Sequence, residues 1–156
     1  MKYTDLLKIS LGADLLFLLT LIITAVLYVL GHIGEDSILS IILPVATLLL
    51  VVEWTVGYGK YKKWRNVWKD PIWQKVLLIV VAVVFFITIV TDLDYEKTCL
   101  AVFIPVTITQ ILRDVRYYNR ATKYDMDNLS DVNELARRFP ETREIIGRKK
   151  KKPEDV

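Results

Sequence analysis

The sequence predicts an all-α integral membrane protein of four transmembrane helices, with N-terminus and C-terminus on the cytoplasmic side and a short amphipathic helix in the tail. Three observations carry that prediction. Four long apolar runs cover Ile9 to Gly31, Ser37 to Trp54, Val76 to Thr91 and Thr98 to Leu112. With their flanks, each reaches the roughly 20 residues that a helix needs to cross about 30 Å of hydrocarbon. The charged residues, 25% of a chain whose mean hydropathy is +0.35, are segregated between the runs instead of interspersed within them. Finally, the connections alternate in sign. The segments His32–Asp36 and Asp92–Lys97 are acidic, whereas Lys60–Lys75 carries Lys60, Lys62, Lys63, Arg65, Lys69 and Lys75 against Asp70 alone. Excess lysine and arginine mark the cytoplasmic side, so the middle loop and both ends are expected there.

The elements follow in order. The first span, about 9–31, is too long for a signal-peptide core and lacks a small-x-small cleavage site, so it is expected to stay in the chain. Gly31-His32-Ile33-Gly34 forms an outer turn, in which the single histidine is expected as a loop residue. The second span runs over about 37–58 and contains Pro44; the third covers about 72–91, started by Asp70-Pro71 as N-cap and first-turn proline. The fourth, about 98–116, contains Pro105. The threonines Thr47, Thr107 and Thr109, or neighbouring helices, are expected to offset the hydrogen bonds that the two prolines remove. Together the spans form one transmembrane domain over 1–120, leaving 121–156 as a cytoplasmic tail. In that tail Leu129, Val132, Ala136 and Phe139 make a narrow apolar stripe after the capping candidates Asn128 to Asp131. A second short segment, Glu141 to Ile146, leads into Arg148-Lys149-Lys150-Lys151-Lys152, which is expected to be disordered and drawn to an anionic membrane surface.

The middle loop adds a second pattern. Tyr58, Tyr61, Trp64 and Trp68 recur at helical spacing, with Lys62, Lys63, Arg65 and Lys69 mostly off that stripe, which predicts a short helix lying in the membrane interface. The candidate interfacial segment is therefore Tyr61, Lys62, Lys63, Trp64, Arg65 and Trp68. Just before it, Thr55-Val56-Gly57-Tyr58-Gly59 reads TVGYG and resembles the selectivity filter of potassium channels, in which four loops present carbonyl oxygens to the ion. The surroundings depart from that family. Trp54 and Lys60 stand where threonine and aspartate usually flank the motif, and the pentapeptide runs into the most basic loop instead of facing outward. It is read as a helix end frayed by its glycines.

Ionisable groups within spans are costly without partners, so they mark candidate sites. Asp14 near the cytoplasmic start of the first span, Glu53 at the end of the second, and Arg113, Asp114 and Arg116 at the end of the fourth lie at similar depth. A network of Asp14 and Glu53 with Arg113 or Arg116 is expected, fixing the packing of three helices. Cys99 is the only cysteine, which excludes an intrachain disulfide or a Cys-x-x-Cys pair. No catalytic set, metal cluster or phosphate loop stands in the sequence, so neither enzyme activity nor a cofactor is expected. The expected function is that of a non-catalytic plasma-membrane protein that anchors, regulates or protects, an accessory or immunity-type role. Its partners would be the anionic inner leaflet and another protein in the membrane or at its cytoplasmic face; nucleic acid is not expected, and homo-oligomers are compatible with the pattern. The competing reading is an oligomeric pore or small transporter.

Overall fold

The computed structural model describes residues 1–54, 63–64, 66–91 and 94–147. The filter-like pentapeptide, Tyr61, Lys62, Arg65 and the basic run 148–152 lie outside the described residues. The described residues are mostly helical, in α1 (Tyr3–Val29), α2 (Glu35–Glu53), α3 (Ile72–Thr91), α4 (Tyr95–Lys123) and α5 (Val132–Arg138). Single 3₁₀ segments follow α4 at Met126–Asn128 and α5 at Pro140–Glu144. Four helices, α1 to α4, are long and apolar enough to span a membrane. Two extend beyond the expected bounds. At about 1.5 Å per residue, the 27 residues of α1 and 29 of α4 reach roughly 40 Å, well past a 30 Å hydrocarbon layer.

Helix α1 packs against α2 and α4, α2 also meets α4, and α3 attaches through α4. This leaves α3 with only Gln74 and Thr88 buried, although its sequence is apolar on every side. A helix that is apolar all round and yet unburied has lipid as its solvent. Local signals end the helices in recognisable ways. Gly31, at φ +73°, closes α1: its N–H donates to the Tyr28 carbonyl and that of His32 to Leu27, a Schellman arrangement requiring a left-handed residue where glycine is cheapest. Pro44 and Pro105 both sit inside continuous helices. The hydroxyls of Thr47, Thr107 and Thr109 donate to Leu43, Phe103 and Pro105 carbonyls, each one turn back. They therefore do not reach the Ser40 and Ala101 carbonyls, which are the ones that the prolines free.

The described residues form two cores. One lies within the bundle, where Leu21, Ile38, Ile42 and Leu100 are buried with Phe17 and Phe103 packed against them. The other is a cap over the opposite end. It brings together Tyr3 and Leu7 of α1, Trp64, Val67 and Trp68 of the middle loop, Ala121 in the last turn of α4 and Tyr124 just after it, and Met126, Leu129, Leu135 and Ile146 of the tail.

The cap corrects the expectation for the middle loop. Its described part is not an interfacial helix but a set of turns, with Asn66 at φ +54° and Trp68 in an isolated antiparallel bridge to Ile146. Lys69 N–H donates to Ile145, and Gly147 N–H to Val67. Trp64 and Trp68 are 1% and 2% exposed, so their rings face protein and not the lipid boundary.

Candidate functional site: a polar seam at the cap end of the bundle

Polar side chains gather where α1, α2 and α4 converge beneath the cap. Ser10 of α1 is the hub. Its hydroxyl lies 2.5 Å from Asp114 Oδ2 and 3.3 Å from Glu53 Oε1, tying α1 to α4 and to the last residue of α2. A hydroxyl has one proton to donate, so Asp114 takes the strong bond and Glu53 the weaker branch. Asp114 is 3% exposed, and Arg113 Nε stands 3.7 Å from its Oδ1, close enough for charge attraction but too long for a hydrogen bond. The Arg113 guanidinium also lies 5.9 Å from the Tyr117 ring centroid, within cation–π range.

Of the residues that sequence reasoning singled out, Glu53 and Arg113 both join this seam, bridged through Ser10 and Asp114. Asp14 lies one helical turn beyond Ser10, within electrostatic range of Glu53, Asp114 and Arg113, but forms no hydrogen bond or ion pair among the described residues. Arg116 turns away from the carboxylates. One of its terminal nitrogens donates to Gln74 Oε1 at 3.1 Å and its guanidinium lies 5.8 Å from the Trp73 ring, fastening α4 to α3. Ser10 and Gln74 were not read from the sequence as site residues. The i, i+4 spacing of Ser10 and Asp14, and the isolation of Gln74 near the start of an apolar run, are the signals that could have found them.

Among the described residues, no three His, Cys, Asp or Glu side chains converge in a geometry that could hold a metal ion. The carboxylates are instead strung along a packing seam. Toward the far end, the bundle core closes over the seam with aliphatic and aromatic side chains, and Thr24 and Thr88 spend their hydroxyls on carbonyls of their own helices. At that far end Lys97 pairs with Glu35 at 2.5 Å and Asp94 at 3.0 Å, while Tyr28 donates to Glu35. These pairs are half exposed, a setting in which solvent screens ion pairs and they contribute little.

The tail also completes α1. Lys2 supplies no side-chain cap, but Asp127, at the other end of the sequence, accepts from Thr4 N–H at 3.1 Å and from its hydroxyl at 2.6 Å. Lys63 in turn donates to the Leu129 carbonyl at 3.1 Å. Comparison with known proteins yields no matching family model, no matching curated sequence and no matching solved structure.

Proposed function

We propose that this chain is a non-catalytic, multi-pass protein of the plasma membrane whose termini and cap are cytoplasmic, and which anchors, regulates or protects by contacting another membrane component through that capped face. The observation that carries this reading is the closure of the bundle. Among the described residues the buried carboxylates lie at the cap end, the buried threonines beyond them bond carbonyls of their own helices, and Leu21, Ile38, Ile42, Leu100 and Phe103 fill the core toward the far end, so no row of charged groups lines the depth of a single bundle. A conduction path needs polar or wet lining along its length. The seam suits a structural role: a buried carboxylate bound by a hydroxyl and an arginine fixes how three helices register, and losing one partner leaves the others under-compensated. The orientation rests on the lysine and arginine of the middle loop and of the segment after Leu112, against the acidic far-end turns.

The experiment has two arms. Purified protein in liposomes under potassium and proton gradients should show no flux above protein-free vesicles. A photo-crosslinker at Arg137 on α5, introduced in intact cells, should give one reproducible membrane-protein adduct that is lost when Leu135→Asp dismantles the cap. A potassium-selective flux abolished by Gly57→Ala, or a proton flux abolished by Asp14→Asn without loss of thermal stability, would overturn the reading in favour of a pore or transporter.

A further inference from the structure

The seam has fewer protons than its contacts require when its carboxyls are fully ionised. Ser10 Oγ lies 2.5 Å from Asp114 Oδ2 and 3.3 Å from Glu53 Oε1. A hydroxyl donates once but accepts twice, so with both carboxylates ionised a single proton must serve two anionic acceptors. The surrounding charges do not offset this. Arg113, 3.7 Å from Asp114 Oδ1, is the one cation within ion-pair distance of either carboxylate among the described residues. Asp14 of α1 adds a further carboxylate within electrostatic range of both. Tyr3 of α1 and Tyr117 of α4, the other titratable neighbours of Asp114, bring no positive charge. On the α3 side, Asp70 and Lys75 lie beyond Arg113 along the cleft between α3 and α4, and Arg116 is turned to Gln74 and Trp73.

We propose that Glu53, Ser10 and Asp114 hold one shared proton, so that the two carboxyls carry a single negative charge matched to Arg113, and that this proton latches the end of α2 to α1 and α4. With the proton bound, one carboxyl donates to Ser10 Oγ and Ser10 donates to the other. Both contacts are then hydrogen bonds, one of them charge-assisted. Two carboxylates on one hydroxyl in a dry site repel each other, and a single proton removes that repulsion. It belongs to the pair and not to either residue, because the hydroxyl can turn to serve both arrangements. Loss of the proton to water opens the latch at its weaker side. Asp114 is 3% exposed and stays beside Arg113, whereas Glu53 is half-buried and is the last residue of its helix. Glu53 is therefore the carboxylate that leaves. The seam is a pH-sensitive device: engaged with the proton on, and free at the α2 end with it off.

The test combines infrared spectroscopy with pH-dependent unfolding of the full chain purified in detergent. At neutral pH the wild type should show a protonated-carboxyl C=O stretch that fades at alkaline pH. Glu53→Gln and Asp114→Asn should each abolish it, since the carboxyl left behind has the Ser10 proton to itself and ionises; Asp14→Asn should leave it in place. Unfolding supplies an independent count. Where the folded pair keeps its proton and the unfolded carboxyls have lost theirs, unfolding releases about one proton, so the unfolding equilibrium constant should rise about tenfold per pH unit and stability should fall as pH rises. In Glu53→Gln the amide donates to Ser10 Oγ as the protonated acid does. The slope should therefore drop by about one proton in that variant, which should be more stable than the wild type at alkaline pH. A band that survives either Glu53→Gln or Asp114→Asn, a band that vanishes in Asp14→Asn, or the same slope in wild type and Glu53→Gln would overturn the proposal. If neither variant folds, the wild type decides: a titrating carboxyl band with a proton released on unfolding supports the latch, and the lack of either overturns it.

Discussion

Single side chains decide how the helices of this protein register. Ser10 binds two carboxylates from two other helices. Ser10→Ala should therefore lower stability by about 1.5–3 kcal/mol, the range for a hydrogen bond to a charged group, read as a lower melting temperature in detergent. Glu134 supplies a pH-dependent example outside the membrane. Bonds from the Ser130 hydroxyl and backbone N–H, 2.7 Å each, hold its carboxyl below the usual glutamate value of 4.5. A folded value below the unfolded one means that this contribution is fully present above about pH 4.5 and is lost as pH falls through the folded value. Amide exchange at Glu134 and Leu135, corrected for its intrinsic pH dependence, should accelerate over that acid range in the wild type, and Glu134→Gln should flatten the response.

At the scale of elements, α5 illustrates local and distant requirements meeting in seven residues. Its start is written in the chain: Asp131 accepts from Glu134 N–H at 2.8 Å while Glu134 reaches back to Ser130, a reciprocal capping arrangement. Seven residues are nevertheless too few for a helix to persist alone in water. Its stability comes from Leu135, which is fully buried in the cap. Leu135→Ala should cost about 2–5 kcal/mol and release the tail, shifting tryptophan emission toward the red as Trp64 and Trp68 meet water. Gly147 depends on close packing in a similar way. A Cβ there would stand 3.3 Å from the Trp68 carbonyl oxygen and 3.4 Å from Lys69 N, both backbone atoms. Gly147→Ala should consequently loosen the bridge between Trp68 and Ile146, measured as faster exchange of the Gly147 N–H that Val67 accepts.

For the whole molecule, the N-terminus, middle loop and tail form one interlocked structure, although a reading by composition divides them at residue 120. Aromatic contacts tie its parts together, Tyr3 against Trp64 and Trp68 against Tyr124, which in turn packs on Phe139. Removal of residues 126–156 should thus destabilise the start of α1 as well, because Asp127 caps it. Limited proteolysis of the truncated protein should cut near Thr4 and in the middle loop faster than in the full chain. What the sequence by itself determined is the set of four helices long and apolar enough to cross a membrane. Lipid offers no partner to a backbone N–H or carbonyl, so a long apolar run has a single solution, and that solution is local. The near-absence of lysine and arginine from one set of turns was equally legible. Only the tertiary structure decided where the tryptophans go, which carboxylate leads the seam and what caps α1. An aromatic and basic stripe satisfies a lipid interface and a protein core equally well, and nothing local distinguishes them. The choice fell to a tail some 60–80 residues further along, whose Leu129, Leu135 and Ile146 close over Trp64 and Trp68 and whose backbone pairs with theirs.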